Sequence, residues 1–252
     1  MNEPTHADAL IIDAVRTPIG KYAGALSSVR PDDLAADVIK HLMAQVPNLD
    51  PARVDDLIVG NAVPEAEQGM QIARYIALLS LPKNVPGFTI NRYCGSGLEA
   101  IALASAKVAS GMADCVIAGG TESMSMLPMM GHKTVLNYGI ANEHPDYYIG
   151  MGLTAEEVSK KYNVTRDEQD AFSFASHMKA LEAQKAGKFT SQIVPVEVTE
   201  NYFDAKSGKK QSRSWTVSQD EGPRADTTIE ALGKLKPAFA MGGTVTAGNA
   251  SQ

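Results

Sequence analysis

Apolar residues fall in two alternating patterns along the first half of the chain. Residues 9–13 (Ala-Leu-Ile-Ile-Asp) form a short continuous run, which predicts a buried strand leaving into a loop at Arg16-Thr17-Pro18-Ile19-Gly20, where Pro and Gly end regular structure. Pro31 then opens a segment with apolar positions at 34, 35, 38, 39, 42 and 43 and with Asp32 and Asp33 in its first turn. That spacing predicts an amphipathic helix of about 14 residues. The pattern repeats: Leu57–Gly60 as a strand, a helical stretch around 69–79, Phe88–Asn91 as a strand, an Ala-rich helix from about 95 to 110, and Cys115–Gly120 as a strand. Strands alternating with helices imply an α/β fold with an apolar-faced sheet. The small side chains at 102–109 imply a helix slim enough to be packed on more than one side.

After Gly120 the texture changes. Met124, Met126, Met129 and Met130 cluster, Gly and Tyr become frequent, and alternation is lost until helical stretches near 154–162 and 167–187. This divides the chain into a core at 1–120, an inserted lobe at 121–243 and a return to the core at 244–252. Lys206–Arg213, the nearest approach to a basic patch, contains Gly and Ser and reads as a solvated turn. With a net charge of −6 and no other Lys/Arg cluster, the composition argues against a nucleic-acid partner. No run approaches the ~20 apolar residues of a membrane span, and Met1–Asp8 is polar and acidic, unlike a signal or transit peptide, so a cytoplasmic enzyme is expected.

The two cysteines, Cys94 and Cys115, form no CxxC pair and have no nearby His, which suggests neither a metal site nor a disulfide framework. In Asn91-Arg92-Tyr93-Cys94-Gly95-Ser96-Gly97-Leu98-Glu99-Ala100 a β-run delivers Cys94 to a tight turn from which a helix starts. A thiol there faces the positive end of a helix dipole and the free N–H groups of the first turn, which favours the nucleophilic thiolate and could hold an oxyanion. Cys115, inside a strand-like run, reads as core.

The Cys94 segment resembles the acyl-cysteine signature of thiolases. Arg16–Lys21, Gly119–Ser125, Met151–Glu156, Arg166–Asp170 and Gly243–Ser251 resemble further thiolase segments in the same order, over residues 9–252. The resemblance implies the N-terminal βαβαβαββ half of a thiolase-like fold, which stacks with a similar half into an α-β-α-β-α body and carries an inserted loop domain over coenzyme A. It also implies Cys94 as the catalytic nucleophile. Coenzyme A contacts would come from Met151, Arg224, Leu232, Phe239, Ala247, Ala250 and Ser251. No tightly bound cofactor is expected; coenzyme A and acyl-CoA are substrates, and the family forms dimers or tetramers.

Gly150 stands where biosynthetic thiolases carry His, which, with Arg92-Tyr93 and Glu99, points toward a degradative 3-ketoacyl-CoA thiolase. The base, acid and second oxyanion site of thiolases lie in Asn-Glu-Ala-Phe, Gly-His-Pro and Gly-rich Cys segments of the C-terminal half, and none of these occurs in the 252 residues. The chain is therefore expected to end before that half and to turn over poorly by itself. A stand-alone acyl-CoA binding module without turnover is the alternative. A dinucleotide-binding protein is disfavoured by the absence of Gly-x-Gly-x-x-Gly, and a β-ketoacyl synthase by the Thr244–Ser251 segment and the lobe.

Overall fold

The computed structural model describes residues 8–205 and 207–250; the polar segment 1–7, Lys206 and the coenzyme A candidate Ser251 lie outside the described residues. The chain forms two compact units, one of residues 1–133 and 191–219, the other of residues 134–190 and 220–252.

The first unit is built on a parallel sheet of β1 (Asp56–Gly60), β2 (Gly87–Ile90) and β3 (Val116–Gly120) in the order β2-β1-β3. Leu57 pairs with Gly87 on one side and Ile117 on the other. All five residues of β1 are buried, as befits a central strand whose alternate side chains point to both faces. Leu57 and Val59 meet α1 (Pro31–Gln45) and α2 (Ile72–Ser80) through Ala36, Ile39, Ile72, Ala73, Ile76 and Ala77. Pro31 at the first helical position and the acidic first turn start α1 as the pattern predicts.

On the sheet's other face lies α3 (Ser96–Ala109), packed against β1 and β3 and pinned at both ends. Near its C-terminus Lys107 pairs with the buried Asp56 carboxylate at the start of β1. At its N-terminus the backbone sits directly on Gly60: a Cβ there would fall 2.5 Å from the Ser96 carbonyl carbon and 2.7 Å from the Gly97 nitrogen. Only glycine permits that approach.

Two segments differ from the pattern-based expectation. Residues 9–13 form no strand, and Leu10, Ile11 and Ile12 are 77%, 77% and 76% exposed. An apolar run becomes a strand only where a neighbouring backbone offers it hydrogen bonds, and pairing begins beyond the run, at Arg16, whose N–H donates to the Gln192 carbonyl and whose carbonyl accepts from Val194. The second difference is an antiparallel hairpin, β4 (Val196–Phe203) and β5 (Lys210–Val217), whose inward Val196, Val198 and Val217 pack with Leu26. The second half of the supposed solvated turn, Lys210–Arg213, is thus exposed strand. Its polar outward residues hide the period of two.

The second unit holds α4 (Tyr138–Glu143), α5 (Met151–Tyr162), α6 (Arg166–Lys185) and α7 (Ile229–Gly233). A capping box of Thr165 and Glu168 starts α6. Two buried carboxylates organise the loop at 243–250. Glu156 of α5 accepts the Thr244 N–H at 2.9 Å and the Val245 N–H at 2.9 Å. Asp170 of α6 accepts from Arg166 at 2.8 Å and from the Asn249 side chain at 2.9 Å, and Asn249 in turn accepts the Thr246 N–H at 2.7 Å. Burial acts to raise the Glu156 carboxyl, but the Thr244 and Val245 donors outweigh it and hold it below its ordinary value.

Gly60→Ala is expected to destabilise the chain by about 1–3 kcal/mol in urea unfolding, because the added methyl meets backbone that cannot yield cheaply. Glu156→Gln is expected to cost about 2 kcal/mol at neutral pH by breaking charge-assisted bonds. Since the folded carboxyl lies below its unfolded value, its contribution is complete above the unfolded range and lost as pH falls through the folded value. Urea midpoints of parent and variant should therefore converge on acidification; a gap independent of pH would contradict this.

Candidate active site

The sheet delivers Cys94 to its position in three steps. The last β2 residue, Ile90, accepts the Asn61 N–H one step beyond the end of β1, so the two strands leave the sheet together. The chain then turns through Asn91–Gly95, and α3 begins at Ser96 with Gly95 as its N-cap. Within the turn Tyr93 adopts a left-handed backbone, φ 46°, a conformation that costs a bulky residue about 1–2 kcal/mol. Three groups hold it there. The Tyr93 N–H donates to Asn91 Oδ1 at 2.8 Å, and its carbonyl accepts the Ser96 hydroxyl at 2.6 Å and the Ser96 N–H at 3.0 Å.

Cys94 emerges from this turn exposed. The first intrahelical bond runs from the Glu99 N–H to the Gly95 carbonyl, and among the described residues the Gly97 and Leu98 N–H groups have no protein acceptor. Such open donors at a helix start attract a thiolate and an oxyanion alike. Glu99, the acidic residue of that turn, is ion-paired with Arg92 at 3.0 Å, which offsets its opposition to a second negative charge. Cys115 contrasts at each point. It is half-buried against the core under α1 and α2, and burial, with the Asp55 carboxylate beside it, pushes its thiol up, away from the reactive form.

Every described residue that the sequence suggests for coenzyme A belongs to the second unit. Leu232 is buried in α7, and its carbonyl accepts from Arg166 at 2.6 Å. Ala247 and Ala250 flank Gly248, whose Cα lies close under Leu232: a Cβ there would come 2.5 Å from Leu232 Cδ2. Met151 is exposed at the start of α5, and the half-exposed Phe239 ring covers the adjacent Gly152, where a Cβ would stand 2.2 Å from it. Arg224 is 69% exposed and paired with Asp226 at 2.8 Å, while its N–H lies 3.3 Å from His177 Nδ1. A cleft of about 480 Å³ in the same unit is lined by Tyr162, Val164, Gln169, Phe172 and Asn249, among others, and by none of the described candidates.

Sequence reading passed over the groups that hold these side chains in place. Glu156 ends the Met151–Glu156 segment and Asn249 sits inside Gly243–Ser251, so the segments carried a signal. That Glu156 and Asp170 clamp the loop at 243–250 follows only from the packing. Likewise the sequence pattern places Ser96 at the start of a helix and gives no sign that its hydroxyl braces both Arg92 and Tyr93.

Residues 9–252 match the family model described as thiolase, N-terminal domain. A 3-ketoacyl-CoA thiolase of Bacillus subtilis is 50% identical over 247 residues, covering 97% of this chain and 63% of the relative. A probable acetyl-CoA acyltransferase of Staphylococcus aureus is 40% identical over 253 residues, covering 94% and 61%. The crystal structure of a Bacillus anthracis acetyl-CoA acetyltransferase superposes with a TM-score of 0.83 at 36% identity, covering 99% of this chain and 63% of that one. The chain thus spans about three fifths of the length of these relatives. With an α/β body on a parallel sheet and a cysteine at the start of α3, it belongs to the thiolase family and comprises the thiolase N-terminal domain.

Proposed function

We propose that this chain supplies the acyl-accepting part of a 3-ketoacyl-CoA thiolase, with Cys94 as the nucleophile. The observation that carries the reading is the exposed Cys94 at a helix start with unpaired Gly97 and Leu98 N–H groups. In the forward direction the Cys94 thiolate attacks the 3-keto carbon. The Cα–Cβ bond then breaks, its electron pair takes a proton to give acetyl-CoA, and the shortened acyl group stays on sulfur until the thiolate of a second coenzyme A removes it. Open N–H donors beside the reacting carbon stabilise the negative oxygen that forms. The base that deprotonates the thiol and the acid that protonates the carbanion are assigned to thiolase segments absent from the 252 residues, so the chain by itself takes up an acyl group but cycles slowly.

Coenzyme A is a substrate here, and its site is assigned to Met151, Arg224, Leu232, Phe239, Ala247, Ala250 and Ser251. Gly150 and the name of the Bacillus subtilis relative favour the degradative direction, as in β-oxidation. The outer face of α3 exposes Leu98 and Ile101, which supports a helix packed on a second side in the complete enzyme and, with the family's habit, a homo-oligomer. No helix among the described residues is long and apolar enough to cross a membrane; a cytoplasmic location is assigned by analogy.

Incubation with acetyl-CoA followed by peptide mass spectrometry should give a thioester adduct on Cys94 and none on Cys115, with Cys94→Ala abolishing it; labelling of Cys115 instead would refute the assignment. Thiolysis of acetoacetyl-CoA by the 252 residues should fall below about 1% of a full-length relative's rate, since removing one member of a catalytic set typically costs 10²–10⁴-fold. Calorimetry should find coenzyme A affinity about tenfold weaker in Arg224→Ala, the loss of one charge-assisted contact to phosphate, while Asp226→Ala binds at least as tightly as the parent.

A further inference from the structure

Tyr93 precedes the nucleophile in a left-handed conformation, and the tie that holds its N–H reaches well beyond the turn. Asn91 accepts the Tyr93 N–H on Oδ1 at 2.8 Å, while its Nδ2 donates to the Ala62 carbonyl at 3.0 Å. Ala62 is itself held from the other side, its N–H donating to Glu122 Oε2 at 2.6 Å. The same carboxylate accepts from Asn61 at 3.3 Å and from the Gln68 side chain. Gln68 is wholly buried, and its Oε1 accepts the Ser123 N–H at 2.6 Å. A series of bonds therefore runs from a buried side chain, through Glu122, residue Ala62 and Asn91, to the Arg92–Tyr93 peptide, one residue before Cys94.

Asn91 is exposed and adds little to the core. Water could satisfy or even bridge the Tyr93 N–H and the Ala62 carbonyl, but a mobile water does not fix the distance and direction between them as a side chain covalently attached to the turn does. The role left for this side chain is therefore geometric. We propose that Asn91 is a positioning residue for the acyl-cysteine reaction, fixing the Tyr93 peptide, and with it Cys94, against the Ala62 peptide that Glu122 anchors. The proposal rests on Cys94 being the acyl acceptor.

It separates from a merely structural role because the two reactions of Cys94 make different demands. Alkylation by iodoacetamide needs a thiolate and no fixed direction. Acylation by a thioester needs the sulfur and the oxyanion donors aligned on one carbonyl, and a displacement of about 1 Å can cost up to 10²-fold. In Asn91→Ala the rate of Cys94 acylation by acetyl-CoA should fall about tenfold or more, with iodoacetamide alkylation within about twofold of the parent and the urea midpoint little changed. Asn91→Asp keeps the acceptor for Tyr93 but turns the donor to Ala62 into a repulsion, and should lie near Asn91→Ala. Asn91→Ser, which retains a small acceptor, should be milder and serves if the alanine variant unfolds. Acylation at the parental rate in Asn91→Ala overturns the proposal, and so does a parallel fall of acylation, alkylation and stability. Absence of any Cys94 adduct on the parent chain refutes the acyl-cysteine reading itself, and this one with it; an adduct on the parent that the variant forms equally fast refutes this one alone.

Discussion

A helix can rest its first turn on the carboxyl end of a strand only if no side chain stands between them, and at Gly60 none does. The Ser96 and Gly97 backbone occupies the volume where a Cβ of residue 60 would lie. Because β1 is the central strand and is buried along its whole length, this contact ties the start of α3 to the buried centre of the sheet. The Lys107–Asp56 pair holds the other end of the helix to the same strand. A helix fixed at both ends presents its Gly97 and Leu98 N–H groups, which have no protein acceptor among the described residues, in one place, and Cys94 lies in the turn that leads into it, directly after the left-handed step at Tyr93.

The second unit solves a similar problem with charge instead of close packing. Its loop at 243–250 has little regular structure of its own, and its backbone donors must be satisfied by something. Buried Glu156 accepts the Thr244 and Val245 N–H groups directly, while buried Asp170 holds the Asn249 side chain, whose Oδ1 accepts the Thr246 N–H; both carboxylates are anchored in helices. Burying a carboxylate is costly unless several donors surround it, and here the net effect on Glu156 is to stabilise the charged form. The loop that carries Ala247 and Ala250 is thus ordered by residues that need not touch a ligand. The pattern matches the first unit, where Asn91, Ser96 and Glu122 bond to the backbone of Ala62, Arg92 and Tyr93 and so tie down the turn that carries Cys94.

Much of this was legible in the sequence. The pattern of apolar and polar positions located α1, α2, α3, α5 and α6 and the three parallel strands to within a few residues, most clearly where an element buries apolar residues, as α1, α2 and β1 do. It failed where burial and local pattern part company. Leu10–Ile12 has the composition of a strand but lacks a paired backbone, and β4–β5 has pairing over outward positions too polar to reveal it. The opposed fates of Cys94 and Cys115 were also readable, since one lies at a strand–turn–helix junction and the other within a strand-like run.

By itself, then, the sequence determined the family, the α/β class, the alternation of elements and the strand–turn–helix setting of Cys94, all of which depend on residues close together in the chain. Only the tertiary structure decided what holds the turn at Cys94. Ala62, Asn91 and Glu122 are far apart in sequence, and hydrogen bonds of 2.6–3.0 Å join them only after the sheet has brought the ends of β1, β2 and β3 to one edge. Periodicity records which face of an element is buried; it carries no information about which polar groups meet at the edge where several elements end.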